Sequence, residues 1–289
     1  MAIPTISEYQ MPQPESFPKS KPTWQPDPRR AVLLFHDVQS YFLKFYAGDG
    51  TLISQMVDNL VRLRQWARAN DVPVVYTAQR RVQVPSDRGL LHDFWGRGLA
   101  NADQAFEQVV ESLVPENGDI VLTKYRYSAF QRTELQDMMA TWGRDQLLIG
   151  GVYAHIGCMV TAVDAFMRDI QAFMVGDAVA AFSAAEHAMA LEYVANYCGC
   201  VIPTSLLASG ARSGTTREWL HERVLQLVEE GTEIDPDESL IFYGLDSLQV
   251  MKLAGELKEE GIAVSFDELA RVPTLNAWWE LIEQRLRAA

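Results

Sequence analysis

Short apolar runs alternate with amphipathic stretches along most of this 289-residue chain, and this alternation limits the possible folds more than any other feature. The first run, Ala31–Phe35, reads AVLLF and is typical of a strand that is buried on both faces. The next stretch, Thr51–Ala69, repeats its apolar residues at a helical spacing. Strands that alternate with helices in this way form parallel sheets covered by helices on both faces. The chain is therefore predicted to form an α/β fold with a doubly wound parallel sheet.

The same periodicities predict the remaining elements of this sheet domain. Further strands are predicted at Val72–Thr77, Asp119–Thr123, Gln146–Ile149, Ala172–Val175 and Cys200–Ile202. Further helices are predicted at Ala102–Leu113, Thr133–Trp142, Cys158–Arg168 and Ala184–Tyr197. The N-terminal stretch Met1–Pro28 is rich in proline, which sustains neither a helix nor a sheet ladder. We expect this stretch to form an extended arm.

The pattern changes after Leu207. Residues 208–214 are small, include glycine and serine, and are typical of a linker. Beyond them only helical periods appear, at Thr216–Glu230, Leu248–Glu260, Phe266–Ala270 and Leu275–Leu286. We therefore expect three parts: a sheet domain over residues 1–207, a linker over 208–214, and a small all-α four-helix bundle over 215–289.

Charge is distributed unevenly between these two predicted domains. The whole chain has a formal net charge of −13. Residues 1–214 hold 22 acidic and 18 basic residues, whereas residues 215–289 hold 16 acidic and 7 basic ones. A chain this acidic lacks the basic surface that phosphate backbones require, so no nucleic-acid partner is expected. The asymmetry indicates two modules with different partners.

Cysteine content and hydropathy bear on the cellular compartment. The three cysteines, Cys158, Cys198 and Cys200, form no Cys-x-x-Cys pair, which argues against a disulfide framework and a zinc ribbon. No stretch stays apolar over the roughly 20 residues that span a bilayer. Met1–Pro28 lacks the apolar block of a signal peptide. We expect a cytoplasmic protein with no membrane association.

One short motif stands out in the helical bundle, Gly244-Leu-Asp-Ser-Leu248. Taken alone, Ser247 has a simple interpretation as the N-cap of the following helix. The motif nevertheless resembles the Gly-x-[Asp/His]-Ser-[Leu/Ile/Met] signature of the acyl and peptidyl carrier protein family, and the length and acidity of the bundle agree. Val272-Pro-Thr-Leu275, followed by two tryptophans, resembles the aryl carrier subgroup. This resemblance implies that Ser247 carries a 4′-phosphopantetheine arm through a phosphodiester, and a phosphate is favoured at a helix N-terminus.

A carrier protein works by docking onto other proteins, so an apolar face is expected beside the arm. The candidates are Leu248, Met251, Phe266 and Ala270. Each of them also fits a role in the core of the bundle. The surrounding carboxylates form a solvated face that would also steer basic partners toward the bundle.

Two charged residues directly follow predicted strands of the sheet domain. Asp37 follows AVLLF with only His36 between them, and Lys124 follows the run DIVLT. Separately, Asp37 could be a turn former and Lys124 a solvated loop residue. The carboxyl ends of parallel strands meet at one edge of the sheet, where ligands collect. The two residues are therefore candidates for an Asp–Lys pair in one pocket.

With these residues in place, the sheet domain resembles the isochorismatase-like hydrolase family, which includes cysteine amidases. The family's Asp and Lys match Asp37 and Lys124. By register, the nucleophilic Cys of the amidases falls at Gly157 within the stretch Gly151–Cys158, so covalent chemistry is lost. The form of this stretch and of Lys124–Phe130 resembles the true isochorismatases. The metal-binding Asp-x-His segment of the amidases is absent, and no metal is expected.

The two resemblances together cover nearly the whole chain, which resembles the bifunctional isochorismatase/aryl carrier proteins of catecholate siderophore synthesis. They imply hydrolysis of isochorismate to 2,3-dihydro-2,3-dihydroxybenzoate and pyruvate. They also imply carriage of an aryl acid, 2,3-dihydroxybenzoyl, as a phosphopantetheine thioester. The implied partners are an aryl-acid adenylating enzyme, a phosphopantetheinyl transferase and the condensation domain of a nonribosomal peptide synthetase. A homodimer is also implied.

Hydrolysis of a vinyl ether requires a proton on the methylene carbon, so a positioned acid is needed. The resemblance and the strand-end position assign this role to Asp37. Lys124 would engage the substrate or orient Asp37, and the sequence leaves these two roles open. Gln79 and Arg88 are candidates for holding the substrate carboxylates, Arg88 through a bidentate contact.

Aromatic residues are candidates for the walls of the pocket, and all of them also suit an ordinary core. They are Phe42, Trp95, Tyr127 and Tyr153. The backbone amide near Gly157 is a candidate for binding an oxygen on which charge develops.

The resemblance also implies a cis peptide bond between Val152 and Tyr153. His36, His155 and His187 have no partner at metal-ligand spacing and are interpreted as structural.

Two alternative functions remain open on the sequence. The first is a cysteine amidase of the same fold that uses Cys158, which lies one residue past the nucleophile's place. The second is a non-catalytic scaffold that presents a carrier domain to its partners.

Overall fold

The computed structural model describes residues 3–48, 50–208, 217–228, 234–259 and 262–288. The chain divides into two compact units, Met1–Ala208 and Ser209–Ala289. Ala208 ends a helix, and the rest of the expected linker lies outside the described residues.

Eight strands occur among the described residues of the first unit. They are β1 (Ile6–Ser7), β2 (Ala31–His36), β3 (Tyr46–Ala47), β4 (Val74–Ala78), β5 (Ile120–Thr123), β6 (Gln146–Val152), β7 (Gln171–Ala180) and β8 (Gly199–Ile202). Six of them form a parallel sheet in the order β5-β4-β2-β6-β7-β8. The first strand of the sheet, β2, therefore lies near its centre, with the later strands added on both sides.

The part of the first unit that the structure describes also contains eight α-helices. They are α1 (Ser40–Leu43), α2 (Thr51–Ala69), α3 (Pro85–Arg88), α4 (Leu91–Trp95), α5 (Leu135–Thr141), α6 (Met159–Phe166), α7 (Ala184–Tyr197) and α8 (Thr204–Ala208). Helices α5, α6 and α7 bury a cluster that includes Val32, Leu34 and Ile149 of the sheet. Helix α2 contacts the opposite face, where Leu60 lies against Gly150. The predicted doubly wound parallel sheet is confirmed.

One predicted helix, Ala102–Leu113, is wrong. The structure has two short 3-10 turns there, Gln104–Glu107 and Glu111–Leu113. Between them, Val109 pairs with Gln39 in an antiparallel bridge, and the Gln39 side chain donates to the Glu107 carbonyl. The backbone of this segment is thus held by the loop after β2, and this tertiary pairing overrides the local helical spacing.

The N-terminal arm also differs from its prediction in one respect. It was expected to pair with no strand, but β1 forms a short parallel ladder with β3. The Ile6 amide donates to the Phe45 carbonyl at 2.8 Å. The residues between Pro4 and Pro12 include no proline, so their amides are available for pairing.

Every regular element among the described residues of the second unit is a helix. Its helices are α9 (Arg217–Leu225), α10 (Ser247–Glu259), α11 (Phe266–Arg271) and α12 (Leu275–Ala288). They enclose a separate core that includes Leu220, Leu253, Leu257, Leu269 and Trp278. No helix among the described residues of either unit is both long enough and apolar enough to cross a membrane.

Candidate active site and candidate attachment site

One cavity opens at the carboxyl edge of the six-stranded sheet, and it collects every site residue that the sequence predicted in the first unit. These residues are Asp37, Phe42, Gln79, Arg88, Trp95, Lys124, Tyr127, Tyr153 and Gly157. They come from the loops that follow four strands, β2, β4, β5 and β6. Parallel strands bring these distant segments to one edge because all of their carboxyl ends point the same way.

Asp37 and Lys124 form a buried ion pair. The Lys124 ammonium donates to Asp37 Oδ2 at 2.8 Å, and the two residues are only 3% and 5% exposed, respectively. The Thr77 hydroxyl donates to the other carboxylate oxygen, Oδ1, also at 2.8 Å. Asp37 therefore receives a donor on each oxygen. The solvated-loop interpretation of Lys124 is wrong because the side chain is buried, whereas Asp37 does have the left-handed backbone of a turn, with a φ of 52°, in addition to its ion pair.

Arg88 brings a second buried cation to the cavity. Its Nε donates to the Gly96 carbonyl at 2.7 Å, and its Nη1 donates to Gln79 Oε1 at 3.2 Å. Burial lowers the pKa of Arg88 from its ordinary value. Among the described residues, no carboxylate forms an ion pair with Arg88, since its partners are a carbonyl and an amide oxygen. A buried guanidinium without a counter-ion is suited to an anionic ligand.

Aromatic side chains surround these charges and fix one another. The Trp95 indole donates to the Tyr127 hydroxyl at 2.8 Å, and the Tyr153 hydroxyl donates to the Phe42 carbonyl at 2.8 Å. Phe182 lies edge-on to Tyr153 with 4.6 Å between ring centroids. The peptide bond between Val152 and Tyr153 is cis, as the resemblance implied.

Several cavity residues were missed at the sequence level. The clearest are Ile3, His36, Tyr41, Arg126 and Phe182. His36 and Phe182 follow the rule that strand ends carry site residues, because His36 ends β2 and Phe182 lies two residues past β7. Ile3 gave no such signal, since it reaches the cavity only through the arm.

His36 was interpreted as structural, yet it lies inside the cavity wall. Its Nδ1 is 2.8 Å from the Val152 carbonyl oxygen, and its Nε2 is 3.2 Å from that of Tyr127. Burial, reinforced by the nearby Lys124 ammonium, lowers the pKa of His36 to about 4. The ring is therefore neutral near pH 7.

His155 and His187, the other two histidines that were interpreted as structural, do not line the cavity. His155 Nε2 lies 3.6 Å from a Glu186 carboxylate oxygen. His187 is buried between the Tyr9 hydroxyl, 3.0 Å from its Nδ1, and the Gly176 carbonyl, 2.9 Å from its Nε2.

Cys158 is poorly placed to act as a nucleophile. Its side chain is fully buried in the core beneath α6 and does not line the cavity. Burial raises the pKa of its thiol, which disfavours the thiolate that a cysteine amidase needs. The geometry therefore does not favour the amidase alternative.

In the second unit, Ser247 is exposed at the first residue of α10. The residue before it, Asp246, caps the helix: its carboxylate accepts from the Gln249 amide at 2.8 Å, and the Gln249 side chain accepts from the Asp246 amide at 2.7 Å. The N-cap interpretation therefore applies to Asp246 rather than to Ser247. An exposed serine hydroxyl at a capped helix start fits the attachment of a phosphodiester.

The four candidate docking residues differ in exposure. Leu248 is 72% exposed and Met251 is 53% exposed, and Ala270 is also exposed. Phe266 is half-buried and packs against the core of the bundle, so it contributes to that core as well as to the surface. Among the described residues of this unit, four further large apolar side chains are exposed and were missed: Leu225, Ile241, Phe242 and Val272.

Comparison with known proteins adds the following. Residues 31–205 match the isochorismatase domain family, and residues 218–282 match the phosphopantetheine attachment site family. An isochorismatase of Bacillus subtilis (strain 168) is 44% identical over 302 residues, which cover 99% of this chain and 96% of that protein. Enterobactin synthase component B of Escherichia coli (strain K12) is 44% identical over 287 residues, which cover 99% of this chain and 100% of that protein.

Solved structures with the same fold include a cysteine hydrolase from Pseudomonas syringae pv. phaseolicola. It is 26% identical, has a TM-score of 0.59, and covers 68% of this chain and 99% of its own. The similarity lies in the fold of the sheet unit, which supports both cysteine hydrolases and isochorismatases.

Proposed function

Because the chain belongs to the isochorismatase family and carries a phosphopantetheine attachment domain, we propose a role for each unit and for the residues that line its site. The first unit hydrolyses isochorismate to pyruvate and 2,3-dihydro-2,3-dihydroxybenzoate. The second unit carries an aryl acid on a phosphopantetheine thiol; the match to the phosphopantetheine attachment site family and the resemblance to the aryl carrier subgroup support this part. The observation that carries the hydrolase proposal is a buried Arg88 without a counter-ion in the same cavity as the Asp37–Lys124 pair.

Isochorismate contains an enolpyruvyl ether, and its cleavage begins at carbon. A proton adds to the methylene carbon, which leaves an oxocarbenium ion at the ether carbon. A water molecule attacks that carbon and loses a proton, which gives a hemiketal. The bond between that carbon and the oxygen on the ring then breaks. The hemiketal hydroxyl gives up its proton as it becomes the carbonyl of pyruvate, and the ring oxygen takes up a proton and stays on the ring as a hydroxyl. The products are pyruvate and the dihydrodiol. Protonation of carbon is the difficult step and needs a positioned acid.

Asp37 supplies that proton, and Lys124 restores it. In the resting pair, both carboxylate oxygens of Asp37 accept hydrogen bonds, so the proton has to arrive along the 2.8 Å contact from the Lys124 ammonium. This transfer leaves a neutral acid beside a neutral amine. After Asp37 protonates the substrate, the pair recovers one proton from the attacking water.

Arg88 binds one substrate carboxylate. Its contacts to Gly96 and Gln79 fix the guanidinium plane, and the side chain lines the cavity. A carboxylate there provides the missing counter-ion through charge-assisted hydrogen bonds. Tyr127 and Tyr153, fixed by Trp95 and Phe42, hold the ring of the substrate between them, and the Gly157 amide faces the oxygen on which charge develops.

Ser247 is the attachment point in the second unit. The bound arm supplies a thiol that holds the aryl acid as a thioester. The chain itself supplies an exposed hydroxyl at the start of a capped helix. The exposed Leu248 and Met251 beside it form an apolar docking surface. The partners that fit this surface are a phosphopantetheinyl transferase, an aryl-acid adenylating enzyme and a condensation domain. The family resemblance also supports a homodimer.

The hydrolase proposal is tested by incubating the purified protein with isochorismate and measuring pyruvate with lactate dehydrogenase. In Arg88→Gln we expect KM to rise about 10- to 100-fold, the equivalent of the roughly 1.5–3 kcal/mol that a charged hydrogen bond contributes. The matched control is Arg62→Gln, which removes an exposed arginine on α2, outside the cavity, and should leave KM unchanged. Absence of pyruvate with the wild-type protein, or an unchanged KM in Arg88→Gln, would contradict the proposal.

A further inference from the structure

We infer that His36 is a positioning residue of the hydrolase site. Its ring fills the space that a side chain at position 157 would need. It thereby fixes the acid, the aromatic wall and the turn that holds Gly157 relative to one another. The inference rests on the proposed function of the first unit. It concerns how the site works without a nucleophile, and it makes the identities of residues 36 and 157 depend on each other.

The first observation is the space at Gly157. A Cβ atom at this position would lie 2.0 Å from Cε1 of His36, 2.7 Å from its Nε2 and 2.9 Å from its Nδ1. Non-bonded carbon atoms approach to about 3.5–4.0 Å. Any residue other than glycine at position 157 therefore requires the imidazole to move.

The second observation is that the imidazole has nowhere to move without breaking contacts. Its two nitrogens face the carbonyl oxygens of Val152 and Tyr127, and the ring is completely buried. The backbone of His36 is equally confined, because a Cβ at the adjacent Gly151 would lie 2.2 Å from the His36 carbonyl oxygen. Since the ring is neutral, it carries one N–H, which we assign to Nδ1 because the contact to Val152 is the shorter one.

Together these contacts join three parts of the site. His36 precedes the acid Asp37, and its Nδ1 lies 3.9 Å from Asp37 Oδ2. Its ring contacts the backbone of Tyr127, one of the aromatic walls, and the backbone of Val152 at the start of the turn that holds Gly157. A displaced ring therefore shifts the acid relative to the aromatic wall. Such shifts of a reacting geometry lower turnover more than they lower substrate binding.

The same arrangement explains why water is the nucleophile here. The volume in front of the Asp37–Lys124 pair where a thiol at position 157 would begin is filled by a neutral ring that donates from Nδ1 to the Val152 carbonyl and whose Nε2 lies 3.2 Å from the Tyr127 carbonyl oxygen. A cysteine introduced at position 157 alone would meet this ring. His36 therefore excludes the covalent route as well as shaping the hydrolytic one.

The test is a double-mutant cycle on Gly157→Ala and His36→Ala, with pyruvate release as the assay. In the wild-type background we expect Gly157→Ala to lower kcat at least about 100-fold, with KM changed less than about threefold because Arg88 is untouched. In the His36→Ala background, where the methyl group has room, Gly157→Ala should lower kcat less than about threefold. The control is Gly255→Ala in α10, since among the described residues no atom beyond its chain neighbours and its own helix backbone lies within 4 Å of a Cβ there, and it should leave kcat unchanged.

Two further measurements keep the test decisive if His36→Ala is weakly active. The urea midpoint should fall for Gly157→Ala when His36 is present and stay constant when it is absent. His36→Asn retains a donor toward Val152, so it should keep a higher kcat than His36→Ala, which a purely space-filling ring would not predict. Equal losses from Gly157→Ala in both backgrounds would overturn the inference. Normal wild-type turnover in that experiment would leave the proposed function standing, whereas absent turnover would contradict the proposed function itself.

Discussion

The two units place their chemistry in opposite surroundings. Asp37 and Lys124 are almost completely buried at the edge of a sheet, whereas Ser247 is exposed at the start of a helix and its neighbour Leu248 is 72% exposed. A hydrolase that protonates carbon needs an acid shielded from water and fixed against its substrate. A carrier needs a hydroxyl that several different proteins can reach. The chain therefore places its buried acid at a strand end, where the cavity encloses it, and its attachment serine at a helix start, where other proteins can reach it.

The charges follow the same division. The acidic second unit has its charge on the outside, where it acts over a distance on approaching proteins. The first unit keeps Arg88 and Lys124 inside its cavity, where they act on one bound molecule. If this comparison is right, each site can be disabled without affecting the other.

The largest expected effect is on the exposed site. Ser247→Ala removes the hydroxyl that accepts the arm, so the mass gain of one phosphopantetheine on incubation with a transferase and coenzyme A should disappear completely. Pyruvate release from isochorismate should stay at the wild-type rate, because vinyl-ether hydrolysis uses no thiol. Mass spectrometry and the coupled assay measure the two quantities in one preparation. Ser239→Ala, a change at another serine of this unit, is the control. Loss of hydrolysis in Ser247→Ala would show that the two sites are not separate.

The next largest effect is on the buried site. Asp37→Asn keeps the shape of the side chain but removes the acid, and kcat for pyruvate release should fall at least about 100-fold, the lower range for a lost general acid. Attachment of the arm to Ser247 should be unaffected. Asp58→Asn, on the exposed face of α2, should change neither quantity. Near-normal turnover in Asp37→Asn would remove Asp37 from the catalytic role.

Acid should weaken the first unit through its buried histidines. Burial lowers the pKa of His36 to about 4 and that of His187 to about 4, both below the value of about 6.5 in an unfolded chain. Their contribution to stability is therefore complete above pH 6.5 and is lost as the pH falls toward 4. Between pH 6.5 and pH 5 we expect a loss of about 1–2 kcal/mol for each histidine.

Hydrogen exchange of the sheet amides, corrected for the intrinsic rate at each pH, measures this loss in the free energy of unfolding. His187→Gln should lose less stability than the wild type over the same interval, because one of the two rings with a pKa of about 4 no longer titrates. A stability that stays constant from pH 7 to pH 5 would show that these rings are not kept neutral by burial.

The smallest expected effect concerns Cys158. Its side chain is buried outside the cavity, so Cys158→Ala should retain pyruvate release within about threefold, a change of less than about 1 kcal/mol in the barrier. Iodoacetamide should not inactivate the folded wild-type protein, since burial both shields the thiol and raises its pKa. A folded but inactive Cys158→Ala variant would restore the cysteine amidase alternative.

Features that depend on local spacing were predicted well from the amino-acid sequence. The alternation that starts at Ala31–Phe35 predicted the parallel sheet, because hydrophobic periodicity is a local property that burial of a strand or a helix requires. Asp37 and Lys124 were placed together because parallel strands always deliver their carboxyl ends to one edge. The signature around Ser247 needed only a loop and a helix start.

Features that depend on contacts between distant segments were decided by the tertiary structure. The segment Ala102–Leu113 has a helical spacing but pairs with the loop around Gln39, and Ile3 reaches the cavity only because the arm pairs with β3. The place of the His36 ring against Gly157 joins positions 121 residues apart in the chain. The pattern of residues along the chain does not specify which distant residues come into contact. Steric exclusion acts between atoms that only the folded chain brings together, so the partner of a glycine is known only from the three-dimensional packing around it.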